Sequence, residues 1–284
     1  MTVGCTSFPS AAASRDNLDR YLDVEGARIR YRDEGCGAAV LMVHGWTLDL
    51  EMWEPQVAAL RDGFRVVRLD RRGFGLSSGR PAAANDVSDI RSLCRHLGIR
   101  RVALVGMSQG VRAVLGFANL DREMISCLIL DGPPDIGQQS PTAEDGIPLD
   151  YFRALMRTQG IGAIRREWAK HPLISLRTND VRARELLEAM IMRYPGNDLA
   201  EPAVPENFPP GAAANCAMQI PMLVITGEQE TTQRTQAANA LAAQAPGAKR
   251  AVIHAAGHLP NLDNSIEYNA VLRAFLQRHA PPFR

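Results

Sequence analysis

Short runs rich in Val, Ile and Leu recur along the chain, separated by longer stretches whose apolar residues return every three or four positions. The runs are Ala39 to Val43, Phe64 to Leu69, Val102 to Val105, Ser126 to Leu130, Pro221 to Thr226 and Ala251 to His254. Their length and branched aliphatics suit parallel strands covered on both faces. Between them, Leu50 to Leu60, Ala84 to Leu97, Val111 to Leu120, Thr235 to Ala245 and Asn264 to Gln277 predict helices. Such alternation predicts an α/β fold with a mostly parallel central sheet, right-handed crossovers and helices on both faces. Ahead of it, Tyr21 to Glu25 and Arg28 to Arg32 flank Gly26-Ala27 and predict a hairpin.

One interval breaks the rhythm. From Asp135 to Cys216 no strand is expected, whereas Leu149 to Thr158, Ile161 to Ala169 and Val181 to Tyr194 are patterned as helices. Ala183, Leu186, Leu187, Met190 and Ile191 fall on one helical face. Ligands of open α/β sheets bind at the carboxyl edge of the strands, so residues 135–216 are read as a helical cap over that edge. The core is then 21–134 and 217–284, behind a loosely held leader of residues 1–20. Pro195-Gly196, Pro202, Pro205 and Pro209-Pro210 make the exit from the cap a turn-rich segment.

Charge and composition narrow the partners. Net charge is +1, from 32 basic and 31 acidic side chains, so no overall field favours nucleic acid or an anionic membrane. No run of about 20 apolar residues is present for a membrane span, and no signal-type apolar stretch opens the chain. Five cysteines, at 5, 36, 94, 127 and 216, show no CxxC spacing, which suggests neither a disulfide scaffold nor zinc and makes the cytoplasm the expected compartment. Without an H-E-x-x-H or G-x-G-x-x-G pattern, no metal or organic cofactor is expected.

The chemistry centres on Gly106-Met107-Ser108-Gln109-Gly110, a G-x-S-x-G sequence between a predicted strand and a predicted helix. That context makes Ser108 the candidate nucleophile rather than a capping serine in a Gly-rich turn. A serine hydroxyl needs a base, and His258, on the loop after the last strand, would stand at the same sheet edge. His254 and His96 read as structural, and His171 lies in the cap. Glu230 after the penultimate strand and Asp131 at the end of Leu128-Ile129-Leu130 compete to orient the imidazole; Glu230 is preferred, with Asp263 and Glu228 behind both. The backbone N–H groups of Gln109 and of Trp46, in His44-Gly45-Trp46, are the expected oxyanion donors.

Val43-His44-Gly45-Trp46, Asp70-Arg71-Arg72-Gly73-Phe74-Gly75-Leu76-Ser77, Gly106-Met107-Ser108-Gln109-Gly110 and Gly257-His258, in this order, resemble the α/β-hydrolase superfamily from about residue 20 onward. The resemblance implies that Arg72 and Gly73 shape a structural turn and that the cap carries acyl or leaving-group specificity. Glu230 departs from the aspartate common at that position, and Ser265 from a proline. Ser108 argues against members with an aspartate nucleophile, such as epoxide hydrolases and haloalkane dehalogenases. The expected activity is a serine esterase or lactonase acting on a small substrate with a medium-sized hydrophobic or aromatic group. A cofactor-free dioxygenase using His258 and Asp131 is the alternative, and a non-enzymatic ligand receptor a third class.

Overall fold

The computed structural model describes residues 18–134, 147–200, 220–245 and 247–280. Cys5, Cys216, most of the leader, residues 135–146 of the interval read as a cap and its prolines from Pro202 to Pro210 therefore lie outside the described residues. The strands are β1 (Arg20–Val24), β2 (Ala27–Glu34), β3 (Ala38–Val43), β4 (Phe64–Leu69), β5 (Val102–Met107), β6 (Ile125–Asp131), β7 (Met222–Gly227) and β8 (Lys249–Ile253). They form one sheet in the order β1-β2-β4-β3-β5-β6-β7-β8. The β1–β2 and β2–β4 pairs are antiparallel and all later pairs are parallel.

Pairing explains the burial pattern. β3, β5, β6 and β7 are buried along their whole length, as the centre of a doubly covered sheet requires. Edge strand β1 is half open. On β2 the pleat sends Ile29 and Tyr31 into one apolar core, while Arg30 and Arg32 emerge on the other face. There Asp19, Glu51 and Glu54 neutralise them at 2.6–3.0 Å. Asp19 is thus already tied to the sheet although the sequence assigns it to the leader.

Helices α1 (Glu54–Leu60), α2 (Ala83–His96), α3 (Gln109–Leu120), α7 (Thr232–Gln244) and α9 (Ser265–His279), with the one-turn α8 (Pro260–Asp263), join the strands. Between β6 and β7 lie α4 (Leu149–Trp168), α5 (Val181–Arg193) and the short α6 (Asn197–Ala200). The two helices expected before residue 170 run together as α4, interrupted at Gly160, whose φ of 73° is left-handed. Phe152, Leu155, Ile164, Trp168, Leu187, Met190, Ile191 and Tyr194 from this interval join Trp46, Leu48 and Trp53 of the sheet side in one apolar cluster. The interval therefore packs onto the core rather than standing apart from it. No described helix is long and apolar enough to cross a membrane.

Candidate active site

Ser108 sits where β5 turns sharply into α3. Its φ and ψ are 51° and −120°, a region that a residue with a Cβ enters only under strain, at a cost of about 1–3 kcal/mol. The neighbours explain how the turn is tolerated. A Cβ on Gly106 would fall 2.7 Å from Val114 Cγ2, and one on Gly110 2.6 Å from the His44 carbonyl oxygen, so only glycine lets α3 approach both strands. The Ser108 N–H donates to the Asp131 carbonyl at 2.8 Å, locking the turn to the end of β6.

His258 lies between β8 and α8 and is 5% exposed. Two loops converge to hold it. Glu228 N–H donates to Ile253 O and Gln229 N–H to Ala256 O, both at 2.8 Å, while Ala255 N–H reaches the Glu228 carboxylate at 3.0 Å. This stitching draws Glu230 against the imidazole, with Oε2 2.6 Å from Nδ1. Oε1 accepts from Thr231 N–H at 2.7 Å. Desolvation pushes the Glu230 pKa up, but the charge and hydrogen bond of His258, the Thr231 N–H and nearby Arg234 outweigh it, and the net shift is downward. An ionised Glu230 accepting from Nδ1–H leaves the imidazole's basic lone pair on Nε2.

Asp131, the competing acid, is not brought to the imidazole. Neither of its carboxyl oxygens has a well-formed hydrogen bond, and its side chain faces the Tyr268 hydroxyl of α9. The next residue meets the histidine instead: a Cβ on Gly132 would stand 2.7 Å from His258 Cε1. Fully buried, Asp131 has its pKa driven well above the ordinary carboxylate range by desolvation. It lies under the site away from the ring, and the His258–Asp131 dyad on which the dioxygenase alternative depended is not formed. Of the other two acids considered, Glu228 is exposed. Asp263 accepts from Gly257 N–H at 2.8 Å and from the backbone N–H groups of Arg177 and Thr178, so it fixes the histidine loop to the interval before β7.

The loop carrying Trp46 is anchored by His44. Its Nε2 accepts from Arg71 N–H at 2.8 Å, and Nδ1 lies 2.7 Å from Gly45 O. Desolvation, followed by the charge of Arg71, lowers the His44 pKa to about 3, so this ring is a neutral strut. A Cβ on Gly45 would come 3.1 Å from Ser108 Cβ, which measures how closely the loop passes the serine. Gln109, as the first residue of α3, has an N–H without an intrahelical acceptor; its side chain is held by Arg71 Nη1 at 2.7 Å. Arg72, expected to be structural, makes a two-pronged pair with Asp89 at 2.8 and 3.0 Å.

Ser108 and His258 line one narrow pocket, partly continuous with solvent. Its other walls are Trp46, Leu48, Met107, Ile147, Trp168, Leu173, Ile174 and Leu259. The basic residues of the α4 region stay outside it. Arg165 binds Tyr194 O, Arg153 and Lys170 pair with neighbours on their own helix and turn, and Arg157 and Arg166 are exposed. His171 stacks on Trp168 with ring centroids 4.5 Å apart. Among the described residues no cluster of His, Cys, Asp and Glu is arranged to hold a metal.

Two neighbours of the site were missed from the sequence. Arg234 of α7 donates through Nη1 to Ser108 Oγ at 3.0 Å and to Gly132 O at 2.7 Å. Asp198 of α6 accepts from the Trp46 indole N–H and from the Tyr194 hydroxyl, each at 2.6 Å. Neither falls in a recognisable motif; the only trace of Arg234 is its spacing of four residues from Glu230, which on a helix would put the two on one face.

A strained serine at a strand-to-helix turn, on a mostly parallel sheet and beside a carboxylate-bound histidine, defines the nucleophile-elbow class of α/β folds. The sequence model of the Alpha/beta hydrolase family matches residues 40–271, and the chain belongs to that family. A curated relative, a putative non-heme chloroperoxidase of Synechocystis, is 33% identical over 137 residues, 45% of this chain and 49% of that one. The chain thus spans about half the length of that relative. A thermophilic esterase of Thermogutta terrifontis superposes with a TM-score of 0.77 at 26% identity, covering 92% of this chain and 99% of the other. An enol-lactonase of Burkholderia xenovorans, at 23% identity and TM-score 0.74 over 91% of this chain and 100% of its own, shares the fold.

Proposed function

We propose that the protein hydrolyses carboxylic esters or lactones through an acyl-Ser108 intermediate. The observation that carries this reading is the 2.6 Å pairing of Glu230 with His258 Nδ1 in the same pocket as a strained, buried Ser108. His258 Nε2 takes the Ser108 proton as Oγ attacks the carbonyl carbon. The Trp46 and Gln109 N–H groups receive the oxyanion, and His258 then protonates the leaving alcohol. Water repeats the cycle and releases the acid. Glu230 holds the imidazole in the reactive tautomer and stabilises its charged form.

The helices between β6 and β7 act in this reading as a cap that selects substrate. The pocket walls are apolar and the α4-region cations point elsewhere, so the favoured group is medium-sized and hydrophobic or aromatic. A series of p-nitrophenyl esters from acetate to decanoate, run beside aromatic esters and lactones, tests this. The expected rate maximum falls at short-to-medium acyl chains or an aryl group. A monotonic fall from acetate would leave the cap residues with packing alone, and a preference for anionic esters would contradict the apolar reading.

A further inference from the structure

Arg234 is a cation in direct contact with the candidate nucleophile, and it is 1% exposed. It enters from α7, whose N-terminus is fixed by the Thr231 side chain, four residues after Glu230. Its Nη1 is shared between Ser108 Oγ at 3.0 Å and the Gly132 carbonyl at 2.7 Å. Gly132 is also the residue whose missing side chain makes room for the His258 ring. Arg234 thus bonds Ser108 and the residue that the His258 ring abuts, with the guanidinium charge acting on the Glu230 carboxylate. Burying an arginine costs several kcal/mol unless charge and hydrogen bonds offset it. A strut needing only to tie α7 to the β6 loop could be made by a neutral donor.

We propose that Arg234 is a catalytic residue that donates a hydrogen bond to Ser108 Oγ and stabilises that oxygen whenever it carries negative charge. The proposal rests on the reading of Ser108 as nucleophile. A serine oxygen has two lone pairs and one proton. With Nη1–H on one lone pair, the hydroxyl proton can point to His258 and the second lone pair can attack. In acylation the Oγ–C bond forms, the hydroxyl proton passes to His258 Nε2 and the carbonyl π pair moves to the oxyanion; collapse then expels the alcohol, which takes that proton. In deacylation water adds to the carbonyl carbon and gives a proton to His258. The C–Oγ bond breaks, its electron pair returns to Oγ, and His258 returns the proton there. Arg234 loses no proton in either half, as suits a group that stays charged at all working pH. Its contribution is largest in deacylation, where Oγ is the leaving group.

The test compares wild type, R234M and R234K on a p-nitrophenyl ester, with acyl-enzyme formation and breakdown resolved by stopped flow. A charge-assisted hydrogen bond to Oγ predicts a kcat loss in R234M of about 10- to 100-fold, with deacylation slowed more than acylation so that acyl-Ser108 accumulates. Removing the cation whose charge acts on the Glu230–His258 pair should also move the acidic limb of kcat/KM to higher pH. R234K, which keeps the charge, should hold that limb in place and recover part of kcat. Wild-type kcat and pH profile in R234M would overturn the proposal. So would a loss that R234K fails to relieve and that leaves the acidic limb unmoved, which is the behaviour of a strut. If R234M does not fold, R234Q replaces it with the same expectations. Fluorophosphonate labelling of the wild type separates the two claims: a labelled Ser108 with an indifferent Arg234 overturns this inference alone, whereas an unlabelled Ser108 overturns the nucleophile reading and this inference with it.

Discussion

At the scale of single residues, the proposed chemistry depends on which acid holds His258, and Glu230 Oε2 lies 2.6 Å from its Nδ1. Ser108, His258, Trp46 and Gln109 stood out as candidates because each sits in a local motif next to a predicted strand end. The acid did not, because Glu230 and Asp131 both follow sheet strands, and chain order fits either. The decision lies in the stitching of the two loops at Glu228, Gln229 and Ala255, and in Gly132, rather than Asp131, meeting the ring. Arg234 was illegible for a related reason: a cation within a helix usually reaches solvent, and only tertiary packing shows that this one turns inward. Replacing Glu230 by Gln would leave the imidazole without its carboxylate, so E230Q should lose about 10²- to 10⁴-fold in kcat. D131N should cost far less, because Asp131 makes no hydrogen bond to the imidazole and is exchanged for a near-isostere. Steady-state rates for the two variants check this; a larger loss in D131N would contradict the assignment.

Elements were easier to read than their junctions. Buried parallel strands announce themselves as aliphatic runs, and all six core strands were found to within a few residues. The left-handed glycine inside α4 falls where the helical pattern lapsed. The pattern held no sign of α6, which is too short for periodicity. Yet α6 supplies Asp198, which clasps Trp46 from the loop after β3 and Tyr194 from the end of α5. Trp168 of α4 makes a second tie, donating its indole N–H to Thr47 Oγ1 at 2.7 Å. These bonds couple the helices before β7 to the loop that passes Ser108. Asp198→Asn would turn an NH2 group toward one of two donors, at a cost of about 1–3 kcal/mol. The expected result is a lower Tm and a raised KM with a smaller change in kcat, since Trp46 walls the pocket. Unchanged kinetics and melting would show that the clasp is dispensable.

At the scale of the whole molecule, the strand–helix alternation gave the α/β architecture, but the strand order depends on register and crossover, which no local pattern carries. Acid stability is a property at this scale, and His44 is one contributor to it. His44 is held near pKa 3 in the fold against about 6.5 when unfolded. The unfolded chain therefore binds the extra proton between those values, and stability falls as pH falls through that window by about 1.4 kcal/mol per unit from this group. Chemical denaturation of wild type and H44N between pH 7 and 4 should show the steeper loss in wild type; parallel curves would contradict a neutral, buried His44. The central claim, that the converging loops build a serine nucleophile, is tested most directly by incubating the intact protein with a fluorophosphonate and locating the adduct by peptide mass analysis. The account predicts one label, on Ser108, abolished in S108A and slowed strongly in H258A. A folded, ester-cleaving protein that carries no label on Ser108 would contradict it.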